Sequence, residues 1–156
     1  MGIAPQGAAE SAVRATLVAN LRYAAKVLAE AGLKLLVEPI NGYDIPGFYL
    51  TKSRQTLALF DEVGESNLWL QYDIYHMQRS EGELAATIAA LLPRIAHVQI
   101  ADNPGRNEPG SGEINCNFLF RRLDELGYPG WIGCEYKPLT TTPDGLGWLR
   151  RLSAHR

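Results

Sequence analysis

The sequence is poor in cysteine: two thiols, Cys116 and Cys134, serve 156 residues. Their separation fits no metal-binding spacing, and so small a number predicts reduced, unpaired thiols rather than a disulfide framework. Charge of either sign is not in excess. A formal net charge of -2 leaves no electrostatic footprint for nucleic-acid phosphates, which demand Lys and Arg gathered on one face. A small-molecule partner is therefore expected, and no nucleic acid. Long apolar runs are missing too, since none reaches the roughly 18 to 20 residues that cross a bilayer. The opening MGIAPQGAAE has neither the basic nor the apolar region of a signal peptide, so the expectation is a cytoplasmic chain with no membrane contact.

What is present is the composition of one globular domain, 46% hydrophobic, with enough apolar residues to bury a core. Val13, Leu17, Leu21, Ala24, Ala25 and Leu28 recur at helical spacing between Glu10 and Ala31, and Gly32 supplies a stop. LKLLVEP then reads as a short buried strand with Glu38 at its exit. After the turn-rich loop INGYDIPGFYL, Thr51 or Ser53 is placed to cap a helix running to about Glu65. LWLQYDIYHMQ follows as a strand that delivers Asp73 and His76 as it gives out. A helix over about Gly82 to Leu92 and the strand RIAHVQIAD repeat the arrangement. The loop NPGRNEPGSGEIN leads to a helix started by Asn115 or Asn117 and closed by Gly127, and then to the strand WIGCEYKP. A final helix is expected from about Pro143 to Leu152.

Strands separated by helices imply βαβ units, a parallel sheet and right-handed crossovers. The fold class is α/β, with about four parallel strands and flanking helices, and a helix rather than a strand comes first. Two architectures fit: an open four-stranded sheet, or a partial (β/α)8 TIM barrel amounting to one half. A complete barrel needs about 250 residues, well beyond the 156 present.

Side chains alternate across a strand, so the inward set can be followed from each polar tip. Glu38 shares a face with Leu36, Asp73 with Gln71, Gln99 with His97, and Glu135 with Gly133. Four neighbouring strands thus present Glu, Asp, Gln and Glu at one level of one end, the end where barrels build active sites. Three carboxylates converging with no arginine in their layer repel one another unless a cation neutralises them. Oxygen donors suit Mg²⁺ or Mn²⁺ better than Zn²⁺. Any one of these acids alone reads as an ordinary solvated loop residue; the joint pattern points to a metal site.

Other groups admit two readings each. His76, three residues past Asp73, either faces the mouth of the site and polarises a substrate oxygen or supports a ligand from behind. His97 lies one layer deeper and reads as a hydrogen-bonded core histidine before a ligand. Arg106 is the one loop cation placed to grip a substrate carboxylate, or else a surface arginine. Glu108 and Glu113 read as pairing or capping groups, Lys137 as a rim residue or a substrate contact, and His155 as part of a frayed terminus.

EPIN, IPGFYL, QYDIYHMQR, HVQIADNPGRNEPGSGEIN and GWIGCEYKP followed by GLGWL together resemble the hydroxypyruvate isomerase family, within the xylose-isomerase-like TIM barrels. The resemblance runs from about Gly2 to Leu152 and is to the C-terminal part of that family, with IAPQG similar to the loop after the fourth strand. It implies that residues 1–156 are the C-terminal portion of the barrel and that the N-terminal strands are absent. It also implies metal ligation by Glu38, Asp73, Gln99 and Glu135, with Glu38 and Glu135 doubling as the acid/base pair and His76 and Arg106 binding substrate. The implied reaction interconverts hydroxypyruvate and 2-hydroxy-3-oxopropanoate (tartronate semialdehyde), moving a proton between adjacent carbons through an enediolate with a divalent metal, Mg²⁺ or Mn²⁺, on the oxygens. Related epimerases carry a histidine where Gln99 stands, which favours the isomerase branch. Competing expectations are a related sugar-acid isomerase or epimerase, for example one acting on 2-oxo-tetronate, and an inactive truncated fragment. A DNA-repair endonuclease of the same barrel type is disfavoured, because its zinc ions call for more histidines than the three present. A half-barrel also leaves both sheet edges open, a route to a homo-oligomer.

Overall fold

The computed structural model describes residues 2–153, so His155 lies outside the described residues. Helix α1, Glu10–Glu30, turns Val18, Leu21 and Ala25 inward. Its end is closed at Gly32 (φ +69°), with the Leu33 N–H donating to the Leu28 carbonyl. This is the stop the sequence predicts, since the left-handed backbone needed there costs glycine nothing. Strand β1, Leu35–Val37, follows, and then α2, Ser53–Val63, whose C-cap is Gly64 in the left-handed region. The N-cap of α2 is Lys52, with no side-chain hydrogen bond, so the expected cap from Thr51 or Ser53 is not made. The Ser53 hydroxyl donates instead to Glu81 at 2.6 Å.

Strand β2 is Leu68–Asp73, and it turns without a loop into a short helix, α3, Ile74–Ser80. That helix is absent from the sequence reading. Its residues Ile74, Tyr75, His76 and Met77 are all buried, and a run buried on every side does not reveal where extended backbone becomes helical. Helix α4, Leu84–Leu91, runs on through a 3₁₀ turn at Leu92–Arg94 into β3, Ile95–Ile100. Asn115 caps α5, Cys116–Glu125, by accepting from the Phe118 N–H at 3.1 Å. Strand β4 is Ile132–Cys134. The final helix is divided into α6, Thr142–Gly145, and α7, Gly147–Ser153.

All four strands are parallel, in the order β1-β2-β3-β4. The α/β reading with four parallel strands and flanking helices is correct. Among the described residues β1 and β4 each have one neighbour, so neither outer edge carries a further strand there. Between β2 and β3 the register shifts: Leu70 pairs with Ile95, but the next residue, Gln71, pairs with His97. Ala96 is thereby passed over, and Gln71 and Asp73 align with His97 and Gln99. Leu70, Tyr72, Val98 and Ile100 point to the helices and are completely buried. Cys116 is buried, Cys134 exposed, and both are unpaired. No helix among the described residues is long and apolar enough to cross a membrane.

Candidate active site

The chemistry gathers where the strands end. Asp73 is both the last residue of β2 and the N-cap of α3, its Oδ1 accepting from the N–H groups of Tyr75 (2.8 Å) and His76 (3.3 Å). One carboxylate thus satisfies two donors that the start of a helix leaves without partners. From β1 outward, Glu38 Oε2 accepts from Gln71 Nε2 at 2.9 Å. The same amide reaches Gln99 Oε1 at 2.6 Å, and Gln99 Nε2 donates to Glu135 Oε2 at 2.8 Å. A continuous hydrogen-bonded chain, Glu38–Gln71–Gln99–Glu135, therefore crosses all four strands. The alternation argument placed Glu38, Asp73, Gln99 and Glu135 at one level, and the structure brings them together there. Gln71, the link between Glu38 and Gln99, was used in the sequence only to mark a face.

Two oxygens stand apart from this network. Glu38 Oε1 and Asp73 Oδ2 are buried and accept no hydrogen bond among the described residues. His76 Nε2 lies 3.9 Å from the first and 3.7 Å from the second. Burial, with the neighbouring charges of Asp73 and Glu135, pushes the Glu38 carboxyl up to about 7. Burial pushes Asp73 up to about 6, against the opposing pull of the His76 N–H and the Arg106 guanidinium. Burial also pushes the His76 imidazole down to about 4, helped by Arg106. Two acids that resist ionisation, each with a buried oxygen that accepts no hydrogen bond and with donor atoms within 4.8 Å of one another, match the electrostatics of a cation site.

The expectation that no arginine shares this layer is wrong. Arg106 Nη2 stands 3.3 Å from Glu135 Oε2 and 3.8 Å from Asp73 Oδ2, and Nη1 stands 3.9 Å from Asp44. Arg106 sits at φ 55°, which side-chain-bearing residues seldom adopt, and its guanidinium lies 5.2 Å from the Tyr75 ring centre. The loop folds back because Asp102, 1% exposed, collects it from within. Its carboxylate accepts from the N–H groups of Asn103, Gly110 and Ile114, and its carbonyl from that of Arg106. Gly112 is required at the crossing, where a Cβ would collide with the Asn103 carbonyl. The Lys137 backbone clamps the far side, donating to Arg106 O and accepting from Asn107 Nδ2.

Glu108 accepts from the Leu139 N–H, and Glu113 from Asn103 and Gln78, so both act as pairing groups. His97 is half-buried with its ring over Gly133, where a Cβ would lie 2.8 Å from Nε2. Asn41 and Tyr75, both buried against His76, and Asp44 and Arg79, which pair beside them, complete the surroundings of the site and carry no signal in the sequence. Arg79 donates to Tyr75 Oη at 2.8 Å and pairs with Asp44 at 3.3 Å.

The chain matches the family model of the xylose isomerase-like TIM barrel over residues 2–152. It is 56% identical over 149 residues to the hydroxypyruvate isomerase of Escherichia coli K12, covering 96% of this chain and 58% of that one. It is 45% identical over 149 residues to the 2-oxo-tetronate isomerase of Cupriavidus necator, covering 96% and 57%. Among solved structures it is similar to a Brucella melitensis protein described as an AP endonuclease of family 2, with TM-score 0.90, 39% identity, and coverage of 94% of this chain and 57% of that one. The chain thus spans little more than half the length of these relatives.

Proposed function

Because the chain belongs to the xylose isomerase-like TIM barrel family, we propose that it is the C-terminal portion of a metal-dependent isomerase interconverting hydroxypyruvate and 2-hydroxy-3-oxopropanoate. The observation that carries the metal is the pair of buried, unpartnered oxygens, Glu38 Oε1 and Asp73 Oδ2. Glu38, Asp73, Gln99 and Glu135 are the ligands, an oxygen-donor set that fits Mg²⁺ or Mn²⁺. When bound, the cation supplies Lewis-acid stabilisation of the developing oxyanion, several kcal/mol by general experience.

The protein's own groups do the rest. Glu38 and Glu135 form the acid/base pair: one takes a proton from C3 of hydroxypyruvate, the other returns one to C2, and the hydroxyl proton moves from O3 to O2, so no external oxidant is needed. Arg106 receives the substrate carboxylate, and His76 donates a hydrogen bond to a substrate oxygen. Turnover of hydroxypyruvate that requires Mn²⁺ or Mg²⁺ and stops with EDTA is the expected result. Metal-independent turnover, or metal binding that survives loss of both Glu38 and Asp73, would remove the reading.

The 45% identity to a 2-oxo-tetronate isomerase supports one alternative substrate, and comparing kcat/KM for the two acids decides between them. Endonuclease chemistry is disfavoured, because among the described histidines only His76 approaches the carboxylates, whereas zinc clusters call for imidazole ligands. The unpaired edges of β1 and β4 are the proposed route to self-association, which light scattering of the purified chain tests directly.

A further inference from the structure

Asn41 is completely buried. Its Oδ1 accepts from two backbone N–H groups, those of Tyr43 at 3.0 Å and Asp44 at 2.9 Å. Backbone N–H groups can only donate, so the atom that receives them must be the amide oxygen. The other end of the amide is then the NH₂ group, and it stands 2.6 Å from His76 Nδ1. A donor at that distance cannot face a second N–H, so Nδ1 must offer its lone pair. A neutral imidazole has one N–H; it therefore sits on Nε2. That nitrogen is the one turned toward Glu38 and Asp73, 3.9 and 3.7 Å from their oxygens.

We propose that Asn41 is a positioning residue that locks His76 as the Nε2–H tautomer, making His76 a hydrogen-bond donor to substrate oxygen and barring it from ligating the metal. By distance alone the imidazole is a candidate third ligand, since Glu38, Asp73 and His76 offer donor atoms all within 4.8 Å of one another. The hydrogen-bond pattern overrides that proximity, because a nitrogen bearing a proton has no lone pair for a cation. The lock also explains an otherwise costly arrangement: a buried amide whose oxygen and nitrogen ends are both used, one to shape the loop at Tyr43 and Asp44, the other to orient the ring. The donor role rests on the proposed isomerase site; the tautomer does not.

The experiment is long-range ¹H–¹⁵N correlation NMR of the ¹⁵N-histidine-labelled chain, with the His76 signals assigned by comparison with His76→Gln. At pH 7, metal-free, His76 is expected to show a protonated Nε2 and an unprotonated Nδ1, and to keep that pattern when Zn²⁺ is added to saturation. A protonated Nδ1 in the metal-free protein overturns the lock, and loss of the Nε2 proton on adding Zn²⁺ overturns the bar to ligation. Asn41→Asp, whose carboxylate can accept but not donate, should move the proton to Nδ1; an unchanged tautomer in that variant also overturns the proposal. If the isomerase reading fails instead, through absence of turnover, the metal-free spectrum still decides the tautomer on its own.

Discussion

On the helix-covered side of the sheet Leu70, Tyr72, Val98 and Ile100 are completely buried, while Trp69, Gln71, His97 and Gln99, interleaved with them on the same strands, are only half-buried. One side is aliphatic and aromatic, and its contacts are dispersion and area removed from water. The other carries Trp69 and His97 and, toward the strand ends, amides and carboxylates joined in a single hydrogen-bonded chain. A period of two lets one strand encode both, because each step along the backbone changes the side served. The two sets should accordingly respond to substitution in opposite ways: stability should track the first, chemistry the second.

The largest expected effect is on chemistry. Glu135→Gln, at a side chain 51% exposed, should lower hydroxypyruvate turnover by about 10²- to 10⁴-fold while moving unfolding free energy by less than about 0.5 kcal/mol. A large fall in the urea midpoint would erase the division between the faces. Next is Leu70→Ala, which should cost about 2–5 kcal/mol in chemical denaturation and leave the affinity of the folded fraction for Mn²⁺ intact.

Glu38→Gln reverses the usual sign. The Glu38 carboxyl stands at about 7 against an ordinary 4.5, so the folded chain holds its proton more tightly than the unfolded chain does. The stability it contributes is therefore fully present below about pH 4.5 and lost as pH rises through about 7. Without metal, the variant should be more stable than the parent by about 1–2 kcal/mol at pH 8 and no more stable at pH 4.5, while losing its thermal shift with Mn²⁺. Differential scanning calorimetry at the two pH values checks this. A variant less stable at pH 8 would mean that the carboxylate stabilises the metal-free fold.

Trp69→Ala is the smallest and most pointed comparison. Trp69 is bulkier than its neighbour Leu70 and carries Lys34 Nζ 4.2 Å from its ring centre, yet it lies on the half-buried side. Its loss should cost about 1 kcal/mol, less than Leu70→Ala, and the reverse order in urea titrations would break the contrast.

Much of this was legible because period-two alternation is a rule about direction that survives ignorance of the fold. Counting back from Glu38, Asp73, Gln99 and Glu135 put four tips at one level, and the structure joins three of them through Gln71 and leaves Asp73 beside them. The chain's gaps were legible only where a residue's type betrays its burial. Asn41 and Asp102, 0% and 1% exposed, are residues that sit in solvated turns far more often. Nothing in EPIN or QIAD marks either as the internal post of a loop. Helix α3 is hidden for the converse reason: Asp73 reads as a strand tip, and nothing around it marks its second duty as a helix cap. Arg106 was placed in the right loop, but its approach to Glu135 depends on a left-handed backbone that arginine gives no sign of adopting.

The skipped pairing at Ala96 carries a consequence for how this protein can change. Below it, Leu70 meets Ile95; above it, Asp73 meets Gln99. The site is therefore sensitive to counting in a way that it is not sensitive to composition: Ala96→Ser alters one side chain, whereas inserting one residue between His97 and Val98 would shift every position beyond it by one step and hand Val98 the place of Gln99. A deep mutational scan scored by Mn²⁺ binding should show substitutions at 96 broadly accepted and single-residue insertions between 97 and 99 uniformly lost. Inheritance along this strand would then be constrained first by length, and only afterwards by letters.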